Sequence, residues 1–79
     1  MPDYAVMIAR RYDGLLVATF PDVPEAVAYG RDDEEALEEA SKSLEAAIRR
    51  RILKGQELPE PRAPGETRIH QDVLAAVLA

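Results

Sequence analysis

The sequence predicts an α+β fold with the order β-β-β-α-β, in which one helix covers one face of a four-stranded mixed sheet. Three observations support this prediction. Residues 32–55 have apolar side chains at helical spacing, residues 4–20 form two strand-like segments around an Asp-Gly pair, and further short β-rich segments flank the helical stretch. The sheet is expected to be an antiparallel meander, completed by a strand that follows the helix.

The long helix is predicted to extend from Asp32 to Gly55. Asp32 is a favourable N-cap, and Glu35 three residues later completes a capping-box pattern. Gly55 suits the position after the helix, because glycine readily adopts the left-handed conformation common there. Apolar residues recur with the helical period and form one stripe: Ala36, Leu37, Ala40, Leu44, Ala47, Ile48 and Ile52.

Charged residues are sorted along this helix. Acidic side chains occupy its first turns and the basic run 49–51 its last, which complements the helix dipole. Glu38 with Lys42 and Glu45 with Arg49 are expected to form ion pairs one turn apart. The basic run attracts phosphate in principle, but its acidic surroundings favour dipole complementation over binding of nucleic acid.

The first two strands are predicted at Tyr4–Tyr12 and Leu15–Phe20, joined as a hairpin. The Asp-Gly pair at 13–14 fits a two-residue turn, because both positions tolerate positive φ. A loop of two residues places Ile8 opposite Thr19. Both faces of the resulting hairpin are largely apolar, which is unusual for a sheet with one side in water.

The helix is assigned to the hairpin face that carries the small residues 9 and 18, because small side chains let a helix approach closely. The opposite face would remain uncovered, and a contiguous apolar patch of this kind usually marks an interface. We therefore expect a homodimer or higher homo-oligomer that closes through this face or through a sheet edge. The candidate interface residues are Val6, Ile8, Tyr12 and Val17.

The remaining elements lie before and after the helix. The two prolines of the segment 21–24 have no N–H to give to a sheet, so the third strand is predicted after them, at Glu25–Tyr29. Leu58–Gly65 is proline-rich and is expected to be an extended connector to a fourth strand at Thr67–Val73. A right-handed crossover would place this strand parallel to the first. The tail 74–79 fits a strand extension, a helical turn or a frayed end.

Composition limits the classes of function. The 79 residues suffice for one domain, predicted at 1–79, and no cysteine is present for disulfides or thiolate zinc sites. The net charge of -5 argues against nucleic acid as the main partner and permits a cationic protein partner. The sequence lacks a signal-peptide pattern and a membrane-spanning apolar run, so a cytoplasmic protein is expected. Abundant Glu and Arg favour a thermophilic source.

No catalytic, cofactor or metal site is predicted. Asp13 and Asp22 lie near strand ends, where converging carboxylates can hold divalent ions, but turn chemistry explains both residues. His70 is the single histidine, and only Asp72 lies near it in sequence as a further metal ligand. The two serines of the helix have no base nearby in sequence that would activate them as nucleophiles.

The order of several motifs resembles the HicB family of antitoxin-like proteins. These motifs are Asp13-Gly14, the corner Phe20-Pro21-Asp22-Val23-Pro24, Gly30, Glu34-Glu35-Ala36 and the exit Leu58-Pro59-Glu60-Pro61. The resemblance covers about residues 5–61 and departs from the family at Glu25-Ala26, where Gly-Cys is usual. It implies a partial ribonuclease-H-like fold without nuclease activity, and neutralisation of a small HicA-type mRNA-cleaving toxin by direct binding. Many members add a C-terminal DNA-binding domain, for which this chain is expected to have no room.

The acidic side of the helix is a candidate surface for such a partner. A toxin that cleaves RNA carries a cationic surface for its substrate, and an acidic protein can neutralise that surface. The candidate partner-binding residues are Glu34, Glu38 and Glu45. We therefore expect a non-enzymatic antitoxin module. The alternative is a stand-alone oligomeric structural or adaptor protein of the same fold, with no toxin partner.

Overall fold

A computed structural model describes residues 3–70 of the chain. In place of the predicted single four-stranded mixed sheet, these residues form one helix and two antiparallel sheets. One sheet pairs β1 with β5, and the other has the order β2-β3-β4. The elements are β1 (Asp3–Ala5), β2 (Met7–Arg10), β3 (Leu16–Thr19), β4 (Val27–Gly30), α1 (Asp33–Leu53) and β5 (Arg68–His70).

The first predicted strand is interrupted at Val6, which separates β1 from β2. The Val6 N–H donates to the Thr67 carbonyl at 3.1 Å, so the chain passes directly from one sheet to the other. β5 runs antiparallel to β1, with Tyr4 opposite Ile69. The predicted parallel arrangement is therefore wrong. After the connector, β5 begins with Arg68 opposite Ala5, the last residue of β1, and runs back towards Asp3.

The strand bounds after the hairpin also differ from the prediction. β4 begins two residues later than expected and extends to Gly30, because the corner that follows β3 continues in turns up to residue 25. β5 confirms a strand after the connector, within the predicted range Thr67–Val73. The rest of that range, 71–73, and the tail 74–79 lie outside the described residues.

The β2–β3 hairpin closes with a three-residue loop, so the predicted two-residue turn is wrong. The Arg11 N–H donates to the Leu15 carbonyl at 2.8 Å, and the Gly14 N–H donates to the Arg11 carbonyl at 3.0 Å. Gly14 has a φ of 86°, as expected for a type I turn followed by a left-handed glycine. The additional loop residue shifts the register by one position, so Ile8 pairs with Ala18.

This shift changes which residues face the helix. Ala18 is fully buried under α1, as predicted, whereas Ala9 is exposed on the other face. Val6 is only 6% exposed and Ile8 packs against the core, so their predicted assignment to the uncovered face is wrong.

The core lies between α1 and the inner side of the strands, and α1 packs mainly against β4 and then β3. The largest fully buried side chains are Tyr4, Phe20, Val23, Leu44 and Ile48. The predicted apolar stripe of α1 is confirmed, since five of its residues are buried and the other two are partly buried against the core.

The predicted start and end of α1 are confirmed by its caps. The Asp32 carboxylate accepts the Glu35 N–H at 2.8 Å, so Asp32 is the N-cap. The Glu35 carboxylate accepts the Arg31 N–H at 3.1 Å, one residue earlier than in a standard capping box. After the C-cap Lys54, Gly55 has a φ of 71°.

The connector after α1 is held to the rest of the fold by two hydrogen bonds. The Asp22 carboxylate accepts the Ala63 N–H at 2.8 Å, so this residue acts across the fold and not within its own turn as predicted. The Tyr4 hydroxyl donates to the Pro59 carbonyl at 2.7 Å. Burial raises the pKa of Tyr4, which keeps the hydroxyl protonated and able to donate.

Candidate partner-binding surfaces

Glu34, Glu38 and Glu45 lie on one side of α1, which we name the acidic flank. Successive members are four and seven residues apart, or about one and two helical turns, so their side chains extend in similar directions. Glu34 and Glu38 are exposed and Glu45 is half-buried. The structure therefore brings the three predicted partner-binding residues together on one surface.

Neither of the ion pairs predicted for this flank forms. Lys42 binds Glu39 instead, with 3.3 Å between Nζ and Oε1. Within residues 3–70, none of the ion pairs involves a carboxylate of the acidic flank. In this part of the chain, no cation therefore lies within ion-pair distance of these three carboxylates.

The side of the three-stranded sheet that faces away from α1 is a second surface, which we name the outer sheet face. Its exposed large apolar side chains are Met7, Tyr29 and Val27, at 59%, 48% and 39%. Apolar side chains gathered on one exposed face favour contact with another molecule. The face is formed by alternate residues of β2, β3 and β4: Met7, Ala9, Val17, Thr19, Val27 and Tyr29.

The four predicted interface residues lie in different places. Val17 is half-buried on the outer sheet face, and Tyr12 is 97% exposed in the hairpin loop. Val6 and Ile8 belong to the inner side of the fold and contribute to the core. Sequence reasoning missed the three exposed large apolar residues of the outer sheet face, Met7, Val27 and Tyr29. The shift of one residue in the hairpin accounts for Met7, because it exchanges the two faces of β2 relative to β3. The prediction assigned no face to Val27 and Tyr29, which belong to β4.

Arg11 contributes a positive charge beside the outer sheet face. Its guanidinium carbon lies 5.7 Å from the centroid of the Tyr29 ring and 5.9 Å from that of Tyr12. These distances are within the range of cation–π attraction. The same guanidinium lies 3.3 Å from the Asp13 carboxylate, which links it to the hairpin loop.

An open groove of about 590 Å³ runs along the exposed edge of β4. We name it the β4 groove; it is lined by residues 27–29 of β4 and by Glu35, Glu39, Lys42 and Ser43 of α1. In the described part of the chain, β4 has β3 as its only neighbour in the sheet. The groove therefore gives access to a free strand edge.

The basic run at the end of α1 is partly used by the fold itself. Arg51 binds Glu25 with both oxygens of the carboxylate, and the Nη2–Oε1 distance is 2.9 Å. Hydrogen bonding between the two side chains lowers the pKa of Glu25 and raises that of Arg51. Both groups are therefore charged at neutral pH and tie α1 to the corner before β4. This pairing leaves two exposed arginines in the run, which weakens the nucleic-acid hypothesis.

The carboxylates and the histidine that could suggest a metal site have structural partners. Asp13 accepts the Leu15 N–H at 3.1 Å, as its turn chemistry predicted. His70 Nδ1 lies 2.6 Å from Asp3 Oδ1, and Asp72 lies outside the described residues. Over residues 3–70, no three His, Cys, Asp or Glu side chains are grouped so that they could hold a metal ion.

No helix in the described range combines the length and the apolar character that crossing a bilayer requires.

Two comparisons with known proteins bear on the identity of the chain. Comparison with curated proteins finds no match. A family model described as HicB_like antitoxin of bacterial toxin-antitoxin system matches residues 3–78, which is nearly the whole chain. The matched range contains every described strand, α1, the acidic flank, the outer sheet face and the β4 groove. The chain therefore belongs to the HicB-like family of antitoxins of bacterial toxin–antitoxin systems.

Proposed function

We propose that the chain neutralises a HicA-type mRNA-cleaving toxin by direct protein–protein binding and without catalysis of its own. Membership of the antitoxin family supports a toxin partner in general. The observation that favours the acidic flank as the contact surface is its three carboxylates, which have no ion partner within residues 3–70. A cytoplasmic location follows from this proposal, since the mRNA that such a toxin cleaves is found there.

The acidic flank suits a partner that binds RNA. Such a toxin presents cations to the phosphates of its substrate, and the acidic flank offers charges of the same sign as those phosphates. The net charge of -5 adds long-range attraction and accelerates the encounter. An antitoxin bound there would exclude RNA simply by occupying the substrate surface.

The proposal is tested with the product of the neighbouring gene, after confirming that it is a short basic toxin that co-purifies with the chain. The variant Glu34→Gln/Glu38→Gln/Glu45→Gln removes three charges and nearly preserves side-chain shape. Exposed ion pairs contribute about 0.2–1 kcal/mol each, so three of them correspond to a rise in Kd of about 3-fold to 100-fold. Calorimetry at several salt concentrations should also show affinity falling steeply with salt.

A matched variant separates the acidic flank from net charge. Glu57, Glu60 and Glu66 are exposed residues of the connector, and their replacement by Gln removes the same three charges. We expect this control to weaken binding by less than about 2-fold, because distant exposed charges are screened. Equal losses in both variants, or an affinity independent of salt, would reject the acidic flank as the contact surface.

The exposed outer sheet face favours a second candidate function, that of a stand-alone oligomeric structural or adaptor protein. In this case the chain would associate with itself and would not bind the neighbouring gene product. Homo-oligomerisation is compatible with both candidates, and we propose it for either. Light scattering at micromolar concentration tests it, and a monomer would count against it. Co-purification with the neighbouring product separates the two functions.

A further inference from the structure

The hydrogen bonds of the hairpin determine which backbone groups of β4 are free. The Arg11 N–H donates to the Leu15 carbonyl, so these two residues are a hydrogen-bonded pair between the two arms of the hairpin. Hydrogen-bonded and non-hydrogen-bonded pairs alternate along an antiparallel ladder, so the N–H and C=O groups of the next residue, Leu16, point towards β4 and not towards β2. The same alternation along the β3–β4 pair leaves Val27 and Tyr29 with their N–H and C=O groups directed away from the sheet.

Two contacts with α1 agree with this assignment. The Ser43 hydroxyl donates to the Val27 carbonyl at 3.0 Å, and the Arg31 N–H donates to the Glu35 carboxylate at 3.1 Å. Both backbone groups belong to the alternate residues that point outward. Tyr29 lies between them, and its backbone groups have no hydrogen bond to a turn, loop or side chain within residues 3–70. A strand edge of this kind is a template for another strand.

We propose that β4 pairs antiparallel with β4 of a second copy of this chain, about a two-fold axis at Ala28. In this register Val27 lies opposite Tyr29 of the partner subunit, and the two residues exchange N–H···O=C bonds on each side of the axis. The Val27 carbonyl can accept both the Ser43 hydroxyl and the new donor, since it has two lone pairs. The proposal rests on the homo-oligomer proposed above and specifies its interface.

The position of the axis on the helix follows from the contacts of β4. α1 runs antiparallel to β4, because Ser43 lies beside Val27 and Glu35 lies beside Arg31. A strand advances about 3.3 Å per residue and a helix about 1.5 Å, so one strand residue corresponds to about two helix residues. The axis through Ala28 therefore meets α1 about two residues before Ser43.

The side of α1 that borders the β4 groove changes sign at this point. Of the charged residues of α1 that line the groove, Glu35 and Glu39 precede the axis and Lys42 follows it. A two-fold axis exchanges the two ends of the groove, so the carboxylates at the acidic end of one copy face the Lys42 ammonium of the other. Glu39 then lies opposite Lys42 of the partner subunit. This self-complementary charge pattern favours a second copy over an unrelated strand.

The side chains at the axis also suit this pairing. Ala28 is the residue of β4 that faces α1 at the centre of the contact, and its methyl group leaves the β4 groove open for the incoming strand. On the outer sheet face, the exposed Val27 and Tyr29 become cross-strand neighbours of their counterparts, which removes apolar surface from water.

Engineered cysteines test the register, because the chain contains no cysteine of its own. Opposite residues of a hydrogen-bonded antiparallel pair have Cα atoms about 5.5 Å apart, within disulfide reach. Two Val27 residues would be about 8–9 Å apart, and two Tyr29 residues equally so, which is too far. Oxidising a mixture of Val27→Cys and Tyr29→Cys should therefore give cross-linked dimer, whereas each variant alone should give little. Thr19→Cys, exposed on the same face but on the central strand, is the matched control and should not cross-link with either.

Charge reversal tests the two-fold axis. Glu39→Lys and Lys42→Glu each place like charges across the axis twice, and each should raise the Kd of the dimer about 10-fold. An equimolar mixture of the two variants restores opposite charges at both contacts, so it should recover the dimer in light scattering. Circular dichroism confirms that both variants are folded.

Several results would overturn the pairing. They are a monomer at about 100 μM of the unaltered chain, cross-linking by single cysteine variants as efficient as by the mixture, or a dimer unaffected by either charge reversal. An unaffected dimer would still leave toxin binding testable by itself, because the acidic flank contains none of the substituted residues. Loss of toxin binding with normal cross-linking would reject the acidic flank and retain the pairing.

Discussion

Gly30 lies directly against the backbone of the first turns of α1, so Gly30→Ala should destabilise the fold. A Cβ at this position would lie 2.3 Å from the Ala36 nitrogen, 2.6 Å from the Ala36 Cα and 2.9 Å from the Glu35 carbonyl carbon. All three are backbone atoms of α1, so rotation of a side chain cannot relieve the contact. Gly30 is not among the glycines with positive φ, so the substitution is resisted by steric contact and not by backbone conformation.

The magnitude follows from these distances. Ordinary contacts of a Cβ begin at 3.4 Å, so the start of α1 would have to retreat by about 1 Å. Overpacking of this kind costs about 1–3 kcal/mol, whereas an unhindered Gly→Ala change would stabilise by about 0.4–1 kcal/mol. A domain of this size has about 4–12 kcal/mol of total stability, so the expected loss is a substantial fraction of it.

Urea titration followed by circular dichroism measures this loss. With a slope of about 1 kcal/mol per molar urea, the midpoint should fall by about 1–3 M. Gly14→Ala is the matched control: its φ of 86° gives conformational strain of about 1–2 kcal/mol, but no atom lies within 4 Å of the added methyl group. A Gly30→Ala midpoint equal to or above that of the unaltered chain would refute the close approach of α1 to β4.

The remaining predictions concern single contacts. Asp32→Ala should lower the free energy of unfolding by about 1 kcal/mol, because the first turn of α1 loses the acceptor of its N-cap; an unchanged urea midpoint would contradict this. Tyr4→Phe should cost about 1 kcal/mol and speed proteolysis of the connector, since the hydrogen bond to Pro59 is lost; equal cleavage rates would argue against that anchor. Lowering the pH should remove the contribution of Glu25 to the free energy of unfolding, because hydrogen bonding with Arg51 lowers the pKa of this carboxylate. This contribution is complete above the ordinary pKa of 4.5 and disappears as pH falls through the lowered folded-state pKa. Arg51→Met should flatten thermal stability against pH in that window, and identical slopes would oppose the assignment.

Local signals are sufficient to predict α1 and its caps. The apolar period, the Asp32 N-cap and Gly55 each act within a few residues of the chain, so tertiary structure adds little to them. The spacing of the acidic flank follows from the same helical period. The Glu38–Lys42 pair was predicted wrongly because Lys42 has acidic neighbours at both three and four residues, and exposed pairs of this kind differ by only a few tenths of a kcal/mol.

The sheet depends on choices that local sequence does not make. Asp13-Gly14 fits a two-residue turn, and it also supplies the last two residues of the observed three-residue loop. Packing decides between them, because the observed register directs Ile8 towards the core. The direction of β5 depends likewise on the path of the connector, which is set by distant contacts such as that of Asp22 with Ala63. Without the register of the hairpin and the direction of β5, the outer sheet face and the β4 groove could not be assigned correctly.

The antiparallel pairing of β1 with β5 has a mechanical consequence. Asp3 and His70 lie directly opposite each other, so tension applied between them acts at right angles to the two strands. Their hydrogen bonds would then open one after another, as in a zipper, and not all at once in shear. In an optical trap, the two-stranded sheet should therefore yield at low force while β2, β3 and β4 remain intact.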